Sequence, residues 1–151
     1  EQNFVTSFRE YCRVHQDDVL AGKQVYLLRN ESKRGLGFFE ANNFYPDFIL
    51  WILDGETQYI TFIDPKGIRN LKGLEDDKIQ LFKYLQTEVA SQFGNAHLML
   101  NSFIISNTPM EQVEFWLKNP FEKGEFQKNH VLFKDDKGYL DTMVNMILQY
   151  I

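Results

Sequence analysis

Two apolar stretches with a four-residue turn signal between them constrain this chain more than any other feature. Phe44 to Leu53 (FYPDFILWIL) is apolar apart from Asp47, and Tyr59 to Asp64 (YITFID) is rich in aromatic and β-branched residues, so both read as strands. Asp54-Gly55-Glu56-Thr57 lies between them, and Gly55 can take the positive φ that a type I′ or II′ turn demands. A β-hairpin is the expected result. If Gly55 and Glu56 are the central turn residues, or if the loop is residues 54 to 57, counting back along both strands sets Asp47 opposite Asp64. If the turn centres on Asp54-Gly55, Asp47 faces Phe62 and Asp64 is a diagonal neighbour of unchanged parity. Either way the two carboxylates share a face. Side chains alternate along a strand, so Lys66 joins Asp64 on that side while Pro65 points away.

Two carboxylates side by side in a largely apolar hairpin repel each other and are poorly solvated, and a divalent cation neutralises them. Mg²⁺ prefers oxygen ligands and keeps several waters, which suits Asp47, Asp64, the backbone carbonyl of Pro65 and a substrate phosphate. Mn²⁺ is an expected substitute. Such a site would polarise a phosphodiester and activate a water, with Lys66 orienting that water or steadying transition-state charge. The plainer account of the same residues is an Asp47–Lys66 strand salt bridge with Asp64-Pro65-Lys66-Gly67 as a strand-ending turn. Against it stands the position of Asp47, since an acid inside FYPDFILWIL needs a partner.

Pro46-Asp47 and Asp64-Pro65-Lys66 resemble the PD-(D/E)XK nuclease superfamily. The wider strings YLLRN (26 to 30), GLGFF (35 to 39), NFYPDFILWI (43 to 52) and YITFIDPKGI (59 to 68) are similar to the nuclease domain at the C-terminal end of type III restriction enzyme Res subunits and related DEAD/DEAH-type helicases. The close similarity covers roughly residues 24 to 70; elsewhere it rests on element order. It implies a restriction-endonuclease-like α/β fold, a central mixed β-sheet flanked by helices, with Asp47 and Asp64 as metal ligands and Lys66 as the catalytic lysine. It further implies DNA as substrate, ATP use only through helicase domains of a parent chain, and contact with those translocase domains and with a modification methyltransferase subunit. A catalytically inactive module that docks DNA or a subunit is the alternative. Some superfamily members add a first-helix acid or a Q-x-x-x-Y pair. Gln80 and Tyr84 have that spacing but lie roughly opposite the stripe Ile79, Phe82, Leu85, Val89, Phe93, which favours solvent. Glu10 lies away from the apolar phase Phe4, Phe8, Cys12, and neither Glu31 nor Glu40 is a better candidate.

With 151 residues and 44% hydrophobic content the chain can bury one ordinary core, so residues 1–151 are expected to form a single domain. It begins on Glu1, carries no signal peptide, long apolar span or lipidation motif, and is expected to be a segment of a larger cytoplasmic helicase-nuclease with no membrane partner. The lone Cys12 fits a core position, and His15, His97 and His130 form no zinc-type group. A net charge of −5 is unusual for a DNA enzyme. Lys23, Arg29, Lys33 and Arg34, with Lys66, Arg69 and Lys72, form two modest basic groups expected to flank the site. Most of the DNA grip would then come from the translocating domains.

Along the rest of the chain, a helix is expected from Asn3 to about His15, a strand at Gln24 to Arg29, and a short strand at Gly35 to Glu40. A helix starting at Glu75-Asp76-Asp77 should run to Phe93 and stop at Gly94. His97 to Ile105 reads as a buried strand, parallel to a neighbour after its helical crossover. Thr108-Pro109-Met110-Glu111 is a helix start with a capping-box pair, and Asn119-Pro120 ends that helix. Val131 to Lys134 suggests a last strand, followed by the helical stripe Tyr139, Met143, Ile147, Ile151. Residues 121 to 130 carry no clear pattern.

Overall fold

In the computed structural model, residues 2–38, 41–66, 71, 73–117 and 122–149 are described. The hairpin forms around Gly55 and Glu56: Asp54 pairs with Thr57 and Phe48 with Ile63, so β2 (Phe48–Asp54) and β3 (Thr57–Lys66) run antiparallel in the register that sets Asp47 opposite Asp64. Gly55 has φ 60°, the left-handed value this turn needs. β1 (Gln24–Arg29) pairs antiparallel with β2, making the outer edge of the sheet.

Two further strands complete the sheet through parallel pairing. β4 (Leu98–Ser106) lies beside β3, and β5 (Val131–Phe133) beside β4, giving the order β1-β2-β3-β4-β5. The protein is thus α/β, a five-stranded mixed sheet flanked by helices. On one face α1 (Gln2–His15) and α6 (Tyr139–Leu148) bury Phe4, Phe8, Met143 and Ile147 against Phe48, Leu50, Ile52, Ile63 and Phe103. On the other, Leu81, Leu85, Val113 and Phe126 pack on Phe62, Ile104, Val131 and Phe133. Apolar burial on both faces, at roughly 25 cal/mol per Å², is the main force holding the layers together. Among the described residues no helix is long and apolar enough to cross a membrane.

Several sequence expectations need correction. Residues 35–38 form no strand; a single antiparallel bridge, Phe38 to Phe44, stands there, and residues 39 and 40 lie outside the described set. The strand expected from Phe44 begins only at Phe48, after a bent segment. The helix expected from Glu75 begins at Leu81: the Asp76 carboxylate accepts the Lys78 N–H at 2.9 Å, a local turn that competes with helical pairing. From there α2 (Leu81–Tyr84) passes through a π-helical turn (Leu85–Val89) into α3 (Ala90–Phe93), capped by Gly94 at φ 58°. The wider π turn shifts the helical phase, so Phe93, placed on the buried stripe by its spacing, is 65% exposed.

Past β4, α4 (Met110–Leu117) starts where Thr108-Pro109 indicated, tied by the Ser106 hydroxyl, which donates to the Thr108 carbonyl at 2.8 Å. Its expected end at Asn119-Pro120 is outside the described residues, as is Ile151. The unpatterned stretch before β5 contains α5 (Lys123–Lys128), which has Phe126 as its buried anchor.

Candidate active site

Strand alternation puts Asp47, Ile49 and Trp51 on the face opposite Phe48, Leu50 and Ile52, and puts Phe62 and Asp64 on the face opposite Ile63. The two acids therefore meet on the side away from α1 and α6. Asp64 is 4% exposed, and both its oxygens are engaged: Oδ1 accepts the Asp47 backbone N–H at 3.0 Å and Oδ2 lies 2.7 Å from the Lys66 ammonium. Each carboxylate oxygen keeps a second lone pair, so a metal ligand role remains open to it. Asp47, Asp64 and Lys66 line one pocket of about 330 Å³, together with Ser32, Asn43, Phe44, Tyr45 and Lys78. Lys66 Nζ also sits 4.6 Å from the centre of the Phe44 ring. Pro65 is buried between the two charged residues, in register with Ile105 of β4.

Burial pushes the Lys66 ammonium below the ordinary lysine range and the nearby Lys78 charge adds to that, while Asp47 and Asp76 pull it back up. The site is thus a mixed-charge cluster, with acids and ammoniums held close in a partly desolvated hollow. Among the described residues no third carboxylate, imidazole or thiolate joins Asp47 and Asp64 into a three-ligand group. Two carboxylates on one pocket match the habit of Mg²⁺, which retains water and takes substrate oxygens for the rest of its shell, while Pro65, the third expected ligand, is not among the residues that line that pocket.

One residue that holds the acids in place carried no signal in the hydrophobic pattern. Asn30, 8% exposed, donates from Nδ2 to the carbonyls of Leu36 at 2.7 Å and Pro46 at 2.8 Å, and its Oδ1 accepts the Leu36 N–H at 2.9 Å. Its own N–H extends the β1–β2 ladder to the Asp47 carbonyl at 2.8 Å. The loop before β2 is thereby pinned against the end of β1. Two glycines let that loop close: a Cβ at Gly35 would collide with the Asn30 amide, and one at Gly37 with the Tyr45 ring. An Asn at the end of a strand, followed by G-x-G, was the available sequence signal.

Other expected residues fall elsewhere. Glu10 is exposed on α1, hydrogen-bonded to Arg13 across the sheet from the pocket. Gln80 and Tyr84, expected to face solvent, are half-buried and line a separate small pocket with Ala41 and Asp77; Gln80 Nε2 donates to the Leu74 carbonyl and to Asn129 Oδ1. Lys23 pairs with Asp54 at the far end of the hairpin, and Arg29 lies by Phe48 on the opposite face, so neither flanks the site. Lys33 and Arg34 are exposed in the loop after Asn30, and Arg69 and Lys72 lie outside the described residues. A larger cavity of about 410 Å³ between α1 and β1, lined by Val5, Phe8, Leu27 and Phe48, holds no carboxylate.

The fold and site define an α/β domain with an acid pair and a lysine at one end of its central hairpin. No family model, curated protein or solved structure matches the chain.

Proposed function

We propose that this domain is a Mg²⁺-dependent DNA endonuclease of restriction-endonuclease-like fold, working in a type III restriction or helicase-linked system. The supporting observation is the bracketing of one buried carboxylate: Asp64 takes the Asp47 N–H on one oxygen and the Lys66 ammonium on the other, with Asp47 and Asp64 opening on the same pocket. Asp47, Asp64 and the Pro65 carbonyl would hold the ion. When bound, Mg²⁺ supplies Lewis-acid polarisation of the phosphodiester and acidifies a water. Lys66 orients that water and stabilises charge on the phosphoryl oxygens. The water oxygen bonds to phosphorus and gives up a proton to solvent, one ester P–O bond breaks, and the leaving oxygen takes up a proton from solvent. Phe44 supplies an apolar wall to the pocket beside the Lys66 ammonium.

Helicase domains, a methyltransferase subunit and an ATP requirement belong to the same proposal as properties of a parent assembly. The experiment has two arms. Mg²⁺ or Mn²⁺ should raise the Tm of the wild type and leave Asp64→Ala unmoved, and the wild type should cut DNA where Lys66→Ala does not. Cutting that survives Lys66→Ala excludes the lysine's role. Absence of both a metal shift and cutting in the wild type would favour a module that docks DNA or a subunit.

A further inference from the structure

The pocket contains a second ammonium group for which the acid pair provides no counterion. Lys78 lines the same hollow as Asp47, Asp64 and Lys66, and its Nζ lies 5.7 Å from the centre of the Phe44 ring that Lys66 also approaches. Its place is fixed from below: the Lys78 N–H donates to Asp76, a residue 9% exposed, and the Ile79 and Gln80 N–H groups bond the Asp76 carbonyl at 2.9 Å. Among the described residues the Lys66 ammonium is taken by Asp64, whereas no carboxylate is within ion-pair reach of Lys78. Two like charges gathered on one aromatic ring repel each other, and a half-buried ammonium without a counterion is poorly compensated. An anion arriving in the pocket would relieve both. Ser32, Asn43 and Tyr45 complete that wall with a hydroxyl, an amide and a phenol, groups that donate hydrogen bonds to phosphate oxygens.

We propose that Lys78, with Ser32, Asn43 and Tyr45, forms a phosphate subsite that grips the DNA backbone beside the phosphodiester at Asp47 and Asp64. The inference rests on the nuclease reading of that acid pair and gives Lys78 a binding role distinct from that of Lys66. It also places a local positive contact in a chain of net charge −5. Lys78 is a compact point charge on a flexible stem, suited to a phosphate oxygen and carrying no base readout, so the grip is independent of sequence.

The test uses this chain, a fluorescein-labelled duplex, and Ca²⁺ in place of Mg²⁺ for binding, followed by Mg²⁺ for cleavage. Lys78→Met should weaken Kd about tenfold, cut the slope of log Kd against log salt by about 0.9, and raise KM with kcat changed less than about twofold. Lys78→Arg should restore the salt slope, and the Tm of Lys78→Met should equal or exceed that of the wild type, since it removes the repulsion on Lys66. An unchanged salt slope in Lys78→Met, or a kcat loss at constant KM, overturns the subsite. If the wild type shows no metal-dependent cutting yet Lys78→Met still lowers the salt slope, the subsite stands and the nuclease reading fails. If the wild type cuts and Lys78→Met binds as the wild type does, the subsite alone fails.

Discussion

His130 should make this domain acid-sensitive well above the range in which its carboxylates titrate. The ring is sandwiched between Phe82 and Phe103, with centroids 3.7 and 4.6 Å away, and its Nδ1 is 3.0 Å from the Ser102 carbonyl. Burial pushes its pKa from 6.5 down to about 4; the Ser102 carbonyl opposes the shift, and the Lys83 ammonium on α2 adds a little to it. The sign follows directly. Above pH 6.5 the imidazole is neutral in both states and has no effect. Between 6.5 and about 4 the unfolded chain takes a proton that the native ring refuses, so stability falls with pH by up to about 1.4 kcal/mol per unit. At pH 4 the accumulated loss is about 3 kcal/mol, and below that the native ring also protonates and the loss levels off. Urea unfolding from pH 8 to 4 should show this loss in the wild type and lack it in His130→Asn. Asn suits the left-handed backbone at this position, where φ is 61°. Asp136, held low first by Lys123, and Asp18, held low first by the Val19 N–H, contribute acid sensitivity to both proteins and cancel in the difference. Parallel stability curves for the two proteins, or an NMR titration of the His130 ring with its midpoint near 6.5, would refute the argument.

Other consequences concern the site and its supports. Asn30→Ala removes three side-chain hydrogen bonds and leaves two carbonyls and an N–H unpaired, so denaturant unfolding should show a loss of about 2–4 kcal/mol. Gly35→Ala forces a methyl group into the Asn30 amide and should cost about 1–3 kcal/mol, whereas Gly124→Ala, with open space around it, should cost nothing measurable in the same assay. Lys66→Met frees Asp64 Oδ2 from a 2.7 Å ion pair, so calorimetry should find Mg²⁺ or Mn²⁺ bound about tenfold more tightly while cleavage is lost; weaker binding would show that Lys66 does not compete with the ion. Asp64→Asn keeps an oxygen acceptor for the Asp47 N–H, so it should retain the fold by circular dichroism yet lose the metal-induced Tm shift.

The hairpin and its acids were legible because strand parity and a two-residue turn leave few registers, and every register kept Asp47 and Asp64 on one face. What escaped the sequence was the loop before β2. Its geometry comes from side-chain hydrogen bonds at Asn30 and from ring packing at Gly37, and neither leaves a hydrophobic period to read. The start of α2 escaped for a related reason, since Asp76 bonds the Lys78 N–H in place of a helical carbonyl. Charged residues were the least legible of all. Lys23 and Arg29 were expected beside the acids, but strand direction carries Lys23 to the far end of the hairpin and strand parity sends Arg29 to the opposite face. Lys78, well beyond the end of β3, comes into the pocket because the Asp76 turn delays the helix and presents the ammonium to Phe44. A basic group on a neighbouring strand is therefore a poor guide to which cations serve an acidic site on a sheet. The path of the backbone decides it, and here that path selects Lys66 and Lys78.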